Sequence, residues 1–298
     1  MVASDKVIVC VAVTGNFQGK DVNPAIPYTS AEIADDVCRA WNAGASIVHI
    51  HARDDQGRGS TDKSIFERID REIRDRECDI VIQHSMAPNP NLPGIQTADI
   101  DAGVASSMTN PPPEMVSLEI SPSIVVWGGK AVPVNWNRLW AEKVATDLSE
   151  RGIKPEIEIY NNAQIDDCTY LIYKGVLKKP YYLSFVVNMH RSVSGCMRYS
   201  PKHLVHLVDL LPADSMFTVV GVGYPTEFEA TTLSLLLGGH VRVGLEDNIY
   251  LERDKLATNA ELVAKIVGIA RGLGREIASP DEAREMLGIP KLARLSGQ

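Results

Sequence analysis

The sequence predicts a (β/α)8 barrel, and three observations predict it. Short apolar, β-branched runs alternate with helix-like stretches from one end of the chain to the other. About eight such runs can be counted, the number that closes a barrel. No composition shift marks a boundary, so residues 1–298 read as a single barrel domain with a C-terminal helical extension. A doubly wound sheet is the competing arrangement, but no G-x-G-x-x-G follows the first strand.

The elements follow in order. Residues 7–13 form the first strand and end at Thr14-Gly15-Asn16. Thr29 or Ser30 caps a helix that runs to Asn42, with Glu32 at the capping-box position. The second strand is Ser46-Ile47-Val48-His49-Ile50-His51. The loop at residues 54–59 has turn chemistry. The helix at residues 63–76 carries Ile65, Phe66, Ile69 and Ile73 at helical spacing. Strand three is residues 80–85. A loop containing Pro88, Pro90, Pro93 and Gly94 follows, irregular up to Pro113. Strand four is residues 115–120, and residues 121–134 read as a loop. A helix at 136–150 ends at Gly152. Strand five is 156–160, a helix follows at 165–176, and strand six is 182–187. Ser200-Pro201 opens a helix that ends near Leu211. Strand seven is 216–221, with a helix at 228–236 closed by Gly238-Gly239. Strand eight is 240–245. A long helix covers 259–272. Ser279-Pro280-Asp281-Glu282 starts a short one that ends at Gly288.

Composition narrows the function. A chain of 298 residues, 45% hydrophobic and 23% charged, is ordinary for a soluble globular protein. The net charge of −8 and the lack of a basic run argue against a nucleic-acid partner. No apolar run is long enough to span a bilayer. The N-terminus lacks signal-peptide character, and the cysteines are odd in number, scattered and without C-x-x-C. These features point to reduced thiols and a cytoplasmic protein.

Sites in such barrels form at the C-terminal ends of the strands. His49 and His51 alternate onto one face of strand two, where two imidazoles can ligate a metal. A hydrogen-bonded structural pair would look the same. Glu246, after strand eight, supplies a possible third ligand, because strand one alone separates strands two and eight in a closed barrel. Two histidines, one glutamate and an open position make a catalytic zinc arrangement. Arg242 shares the parity of Glu246 and faces inward, where it needs a carboxylate partner. Asp247 has the opposite parity and can serve only if the strand ends or bends there. Arg242 also admits a purely structural reading as a buried ion pair. Thr14, Asn16, Ser85, Glu119 and Glu158 occupy other strand ends. His84, of opposite parity to Ser85, should pack behind the barrel, and His203 and His206 lie on a helix. Trp127, Trp136 and Trp140 suit core or contact area, and Gly221-Val222-Gly223 is similar to a phosphate-cradling turn.

The segments 49–54 and 238–251 (GGHVRVGLEDNIYL) resemble the signatures of the β-keto acid cleavage enzymes, and the likeness continues through residues 258–263, 274–278 and 281–288. The resemblance implies an acyltransferase that condenses a β-keto acid with acetyl-CoA to give acetoacetate and a new acyl-CoA. It implies a zinc cofactor on His49, His51 and Glu246, with Asp247 as the base and Arg242 orienting it. Ser85 would hold the substrate carboxylate, and Glu158 would line the pocket. It also implies a homo-oligomer, with a tetramer favoured. A zinc aldolase or lyase working without coenzyme A is the alternative for the same triad.

The chain departs from that family at Met86-Ala87-Pro88, at Glu119, at Asn16-Phe17 and at Asn188-Met189-His190. The side group of the keto acid should therefore be read by Glu119, Glu158 and the Asn16-Phe17 loop. Two carboxylates at one mouth favour a cationic or polar uncharged group over a second anion.

Overall fold

The computed structural model describes residues 6–88, 98–127 and 129–290. Pro90, Pro93 and Gly94 of the proline-rich loop lie outside the described residues, as does the side chain of Trp127.

Eight parallel strands close into a barrel in sequence order. They are β1 (Val9–Ala12), β2 (Ile47–Ile50), β3 (Val81–Ser85), β4 (Met115–Glu119), β5 (Lys154–Ile159), β6 (Tyr181–Val187), β7 (Ser215–Gly221) and β8 (His240–Val243). Among the described residues the helices are α1 (Ser30–Asn42), α2 (Lys63–Asp75), α3 (Ile100–Ser107), α4 (Arg138–Arg151), α5 (Ala163–Tyr173), α6 (Pro201–Asp209), α7 (Thr226–Leu236), α8 (Asn259–Gly272) and α9 (Pro280–Leu287). The capping chemistry read from sequence sets several of their ends. Thr29 with Glu32 and Ser279 with Glu282 form capping boxes, and Ser200 caps α6 ahead of Pro201. Gly152 and Gly288 end α4 and α9 in the left-handed region. None of these helices is long and apolar enough to cross a membrane.

Strand alternation divides the barrel into two environments. Val9, Val11, Val48 and Ile50 face outward and pack in one cluster with α1, α2 and α8. Cys10, Ile47, Val81, Met115, Tyr182 and Met216 face inward and fill the floor together with Ala283 and Leu287 of α9. The C-terminal extension thus plugs the bottom, and Arg284 fixes it there through Glu114 at 2.5 Å. All chemistry is left at the opposite end.

The structure corrects the element reading in four places. Within residues 121–134, the segments 123–127 and 130–134 form a paired hairpin, not a loop. Ser123–Trp127 pairs with Lys130–Val134, and Val193–Ser194 joins its other side. This small sheet sits over the barrel mouth and contributes Val125, Val134 and Val193 to the wall of the cavity there. The irregular stretch before Pro113 contains α3, capped by Asp99. The first strand is divided: Lys6–Val7 pairs with Glu276–Ile277, and only Val9–Ala12 belongs to the barrel. The loop after His51 is braced by pairing of Ala52–Arg53 with Gly59–Ser60.

Candidate metal centre and active site

The end of β8 decides the geometry. Its pairing stops at Val243, and Gly244 follows with φ +146°, a conformation that side chains rarely adopt. A Cβ there would overlap the Ala12 backbone. The Asp247 and Asn248 amides then both donate to the Gly244 carbonyl at 2.9 Å. This tight turn replaces strand alternation, so Glu246 and Asp247 can both meet Arg242 despite their opposite parity. Buried side chains hold the turn. Glu227 accepts from the Gly244 amide and from Asn248 Nδ2, each at 3.0 Å, and Asn259 accepts from the Leu245 amide at 2.8 Å.

Arg242 is 3% exposed and its donors converge on three carboxylates. Nε and Nη2 donate to the two oxygens of Asp247 at 2.9 and 3.0 Å, and Nη2 also donates to Glu246 at 2.6 Å. Glu158 lies 3.9 Å from Nη1. Burial pushes the Asp247 carboxyl up to about 6 against the lowering pull of Arg242. Glu246 goes the other way: Arg242, His51 and His49 outweigh its burial and hold it below the usual carboxylate range.

His49 and His51 face Glu246 across the gap between β2 and β8. His49 Nε2 is 3.7 Å and His51 Nε2 3.4 Å from a Glu246 oxygen. The three ligand atoms lie within 4.8 Å of one another, a spacing that can hold a metal ion. The donor set fits a zinc-like cation in two further respects. Burial, with Arg242 nearby, lowers the His49 imidazole to about 3, so it is neutral and ligand-ready at ordinary pH. Glu246 Oε2 is buried without a hydrogen-bond partner. Gln83, next to His49 in the β2–β3 register, places its Oε1 2.8 Å from His49 Nδ1 and leaves Nε2 turned to the site.

A second carboxyl group of residues stands opposite. Glu119 and Glu158 are direct cross-strand partners on β4 and β5. Tyr160 donates its hydroxyl to Glu158 at 3.0 Å. Burial, then the neighbouring Glu158, raises Glu119 well above the usual range, and burial raises Glu158 too. The two therefore favour sharing a proton over carrying two charges. Among the described residues no lysine or arginine forms an ion pair with Glu119.

Nine of the residues chosen from sequence meet at one cavity of about 500 Å³: Asn16, His49, His51, Ser85, Glu119, Glu158, Arg242, Glu246 and Asp247; Thr14 is instead buried, accepting from Arg53. Phe17 and Trp136 line it as well, while Trp140 instead reaches Asp101 at 3.2 Å. Ser85 accepts from the Ala87 amide at 3.2 Å, and α3 buttresses this strand end through Ser107. Asn188 takes φ +72°, which asparagine tolerates better than most residues. His84 packs behind the barrel against Asp70 at 2.9 Å and Phe66. The Gly221-Val222-Gly223 turn does not present a free phosphate cradle. The Val222 amide donates to Val187 and the Gly223 amide to Asp247. Gly221 is required by the close approach of α7.

Sequence reasoning missed Gln83, Tyr160, Glu227 and Arg53. Arg53 binds the Thr14 hydroxyl at 2.7 Å, the Gly57 carbonyl at 2.7 Å and the Gln18 carbonyl at 2.5 Å, and it also reaches Gly15, so it shapes the loop carrying Asn16. Gln83 and Arg53 had a readable signal: each is polar and shares the inward parity of a chosen neighbour, Ser85 or His51. Glu227 had none, since a helix-start glutamate is normally solvated.

Comparison with known proteins adds a family. The family model described as beta-keto acid cleavage enzyme matches residues 6–289. The 3-keto-5-aminohexanoate cleavage enzyme of Fusobacterium nucleatum is 36% identical over 288 residues, covering 96% of this chain and 99% of its own. The 3-oxoadipate:acetyl-CoA acetyltransferase of Cupriavidus necator is 30% identical over 289 residues, covering 96% and 95%. Among solved structures, the apo structure of ObcA superposes with a TM-score of 0.69 at 20% identity, over 89% of this chain and 66% of that one, a likeness of fold.

Proposed function

The chain belongs to the β-keto acid cleavage enzyme family, and we propose that it condenses a β-keto acid with acetyl-CoA, giving acetoacetate and a new acyl-CoA. The observation that carries this reading is the placement of the His49, His51 and Glu246 ligand atoms within 4.8 Å of one another, beside an Asp247 held by Arg242. Relatives named for cleavage of a keto acid and for transfer from acetyl-CoA support it.

His49, His51 and Glu246 would hold a zinc ion, which when bound would supply Lewis-acid stabilisation of negative charge developing on the keto acid. Asp247 takes the proton from the α-carbon. Arg242 keeps the Asp247 carboxylate turned toward substrate by its two parallel hydrogen bonds, so that the base is not itself drawn in as a ligand. The carbanion attacks the acetyl thioester carbonyl and expels the coenzyme A thiolate. The thiolate returns to the side-group carbonyl and breaks its bond to the α-carbon, which takes back the proton from Asp247, so that acetoacetate and the new acyl-CoA leave. Ser85 holds the substrate carboxylate. Glu158 and Glu119, with Asn16, read the side group, and a cationic or hydrogen-bond-donating group suits them best. The chain works as a homo-oligomer, a tetramer foremost; the exposed Leu139, Tyr173 and Leu236 on α4, α5 and α7 offer apolar contact area for it.

The test is turnover of a panel of β-keto acids by the zinc-loaded protein, with and without acetyl-CoA. Acetoacetate and acyl-CoA formed only when acetyl-CoA is present support the reading. Cleavage without any thioester would overturn it in favour of a lyase.

A further inference from the structure

We propose that Glu156 is a positioning residue that sets the tautomer of His49 through the Gln83 side chain, an inference that rests on His49 serving as a metal ligand.

His49 can ligate through Nε2 only if Nε2 carries no proton, so the neutral ring must keep its proton on Nδ1. Nδ1 lies 2.8 Å from Gln83 Oε1, and in the Nδ1–H tautomer it donates there. This contact alone does not fix the tautomer. A carboxamide is nearly symmetric in shape, and a Gln83 rotated by half a turn would offer N–H to Nδ1 and put the ring proton on Nε2. The choice falls to whatever meets the other half of the amide.

That neighbour is Glu156. It points inward from β5, two residues before Glu158, and is 0% exposed. It is not part of the cavity wall. Gln83 and Ser184 both favour its carboxylate, although neither contact has the geometry of a full hydrogen bond. Gln83 Nε2 and both Glu156 oxygens are buried and make no hydrogen bond. A buried carboxyl costs several kcal/mol unless it is satisfied, and Gln83, whose Nε2 is a donor still without a hydrogen bond, is among the groups that favour the charged, accepting form of Glu156. An acceptor at that point turns Gln83 Nε2 toward Glu156 and Oε1 toward His49. The chain Glu156, Gln83, His49 spans β5, β3 and β2 inside the barrel, beneath the metal ligands.

The experiment is 15N NMR of histidine-labelled, metal-free protein, with zinc affinity measured beside it by chelator competition. Wild-type His49 should carry its proton on Nδ1. Glu156→Leu should give a mixture of tautomers and a zinc Kd raised about 10–100-fold, the usual cost of losing an outer partner of a ligand. Glu156→Gln, whose amide oxygen still accepts, should keep both near wild type, whereas a merely space-filling role would leave the tautomer unchanged in Glu156→Leu as well. Gln83→Leu should reproduce the Glu156→Leu tautomer mixture, and it serves as the test if Glu156→Leu does not fold. An Nε2–H tautomer in the wild type, or an unchanged tautomer and Kd in a folded Glu156→Leu or Gln83→Leu protein, would overturn the proposal. A wild-type protein that binds no zinc would strike the metal reading separately, and the tautomer readout would still decide the relay.

Discussion

Arg242 and Asp247 meet as a parallel two-bond pair, Nε to Oδ2 at 2.9 Å and Nη2 to Oδ1 at 3.0 Å, across the break in β8 at Gly244. A planar guanidinium reproduces both bonds at once, and an ammonium cannot. Arg242→Lys should therefore lower kcat by roughly 100-fold, and Asp247→Asn by about 100- to 10,000-fold as a base is lost. Both proteins should keep their metal. Steady-state kinetics beside elemental analysis checks this; an Asp247→Asn enzyme with near-normal turnover would remove Asp247 from the role of base.

The metal assignment has its own measurement. His49→Ala deletes one of three ligands, so the purified protein should lose most of its zinc and its activity together. Chelator treatment of the wild type should abolish turnover, and added zinc should restore it. Undiminished zinc in His49→Ala would place the metal elsewhere.

The Gly244 turn is the device that brings Glu246 and Asp247 to the same guanidinium. Its φ of +146° and the overlap that a Cβ would make with Ala12 leave no room for a side chain. Gly244→Ala should destabilise the fold by about 1–3 kcal/mol, in the range of backbone strain at such positions. It should also cost activity beyond its effect on folded fraction. A melting temperature and kcat both near wild type would show that the turn tolerates relaxation.

Glu156 links the site to pH. Burial raises its carboxyl from 4.5 to about 7. The folded state then holds a proton that the unfolded chain releases near 4.5, so the stabilising contribution is complete below about 4.5 and is lost as pH rises through 7. Glu156→Gln removes this titration. Between pH 5 and pH 8 the wild type should lose more melting temperature than Glu156→Gln, a difference on the order of 3 kcal/mol if the whole shift is expressed. Parallel pH profiles for the two proteins would count against the assignment.

Periodicity carried most of the fold, because strand and helix periods are local and the barrel repeats them in order. It also carried the two histidines, since alternation alone puts His49 and His51 on one face. It failed where geometry depends on a partner distant in sequence. The hairpin at residues 123–134 looked like a loop although two β-branched runs flank Gly128-Gly129, a hairpin signature. Those runs read as strand only when the sheet they cover is known. Parity excluded Asp247 from the site unless the strand broke, and the break is set by Gly244 against Ala12 of another strand. Glu227 was invisible for the same reason: its burial comes from the closed barrel and not from its neighbours in the chain, whereas Glu156, like Gln83, shared the inward parity of a chosen neighbour, Glu158.

The side group of the substrate is the remaining question, and Glu119 is placed to answer it. It faces Glu158 directly across β4 and β5, both carboxyls are raised, and Tyr160 already donates to Glu158. The pair favours sharing a proton over carrying two charges, in a cavity also lined by Phe17 and Trp136. A side group bearing a cation or a donor completes that arrangement, and an aromatic ring beside it adds to the attraction for an alkylammonium. A second carboxylate on the substrate would be repelled. The comparison is kcat/KM for cationic, neutral and dianionic β-keto acids in the wild type and in Glu119→Gln. The wild type should prefer the cationic or neutral acid. Glu119→Gln should lose about tenfold on a cationic acid, the size of one charged hydrogen bond, with little change on a neutral one. A wild-type preference for the dianionic acid would refute this reading of Glu119.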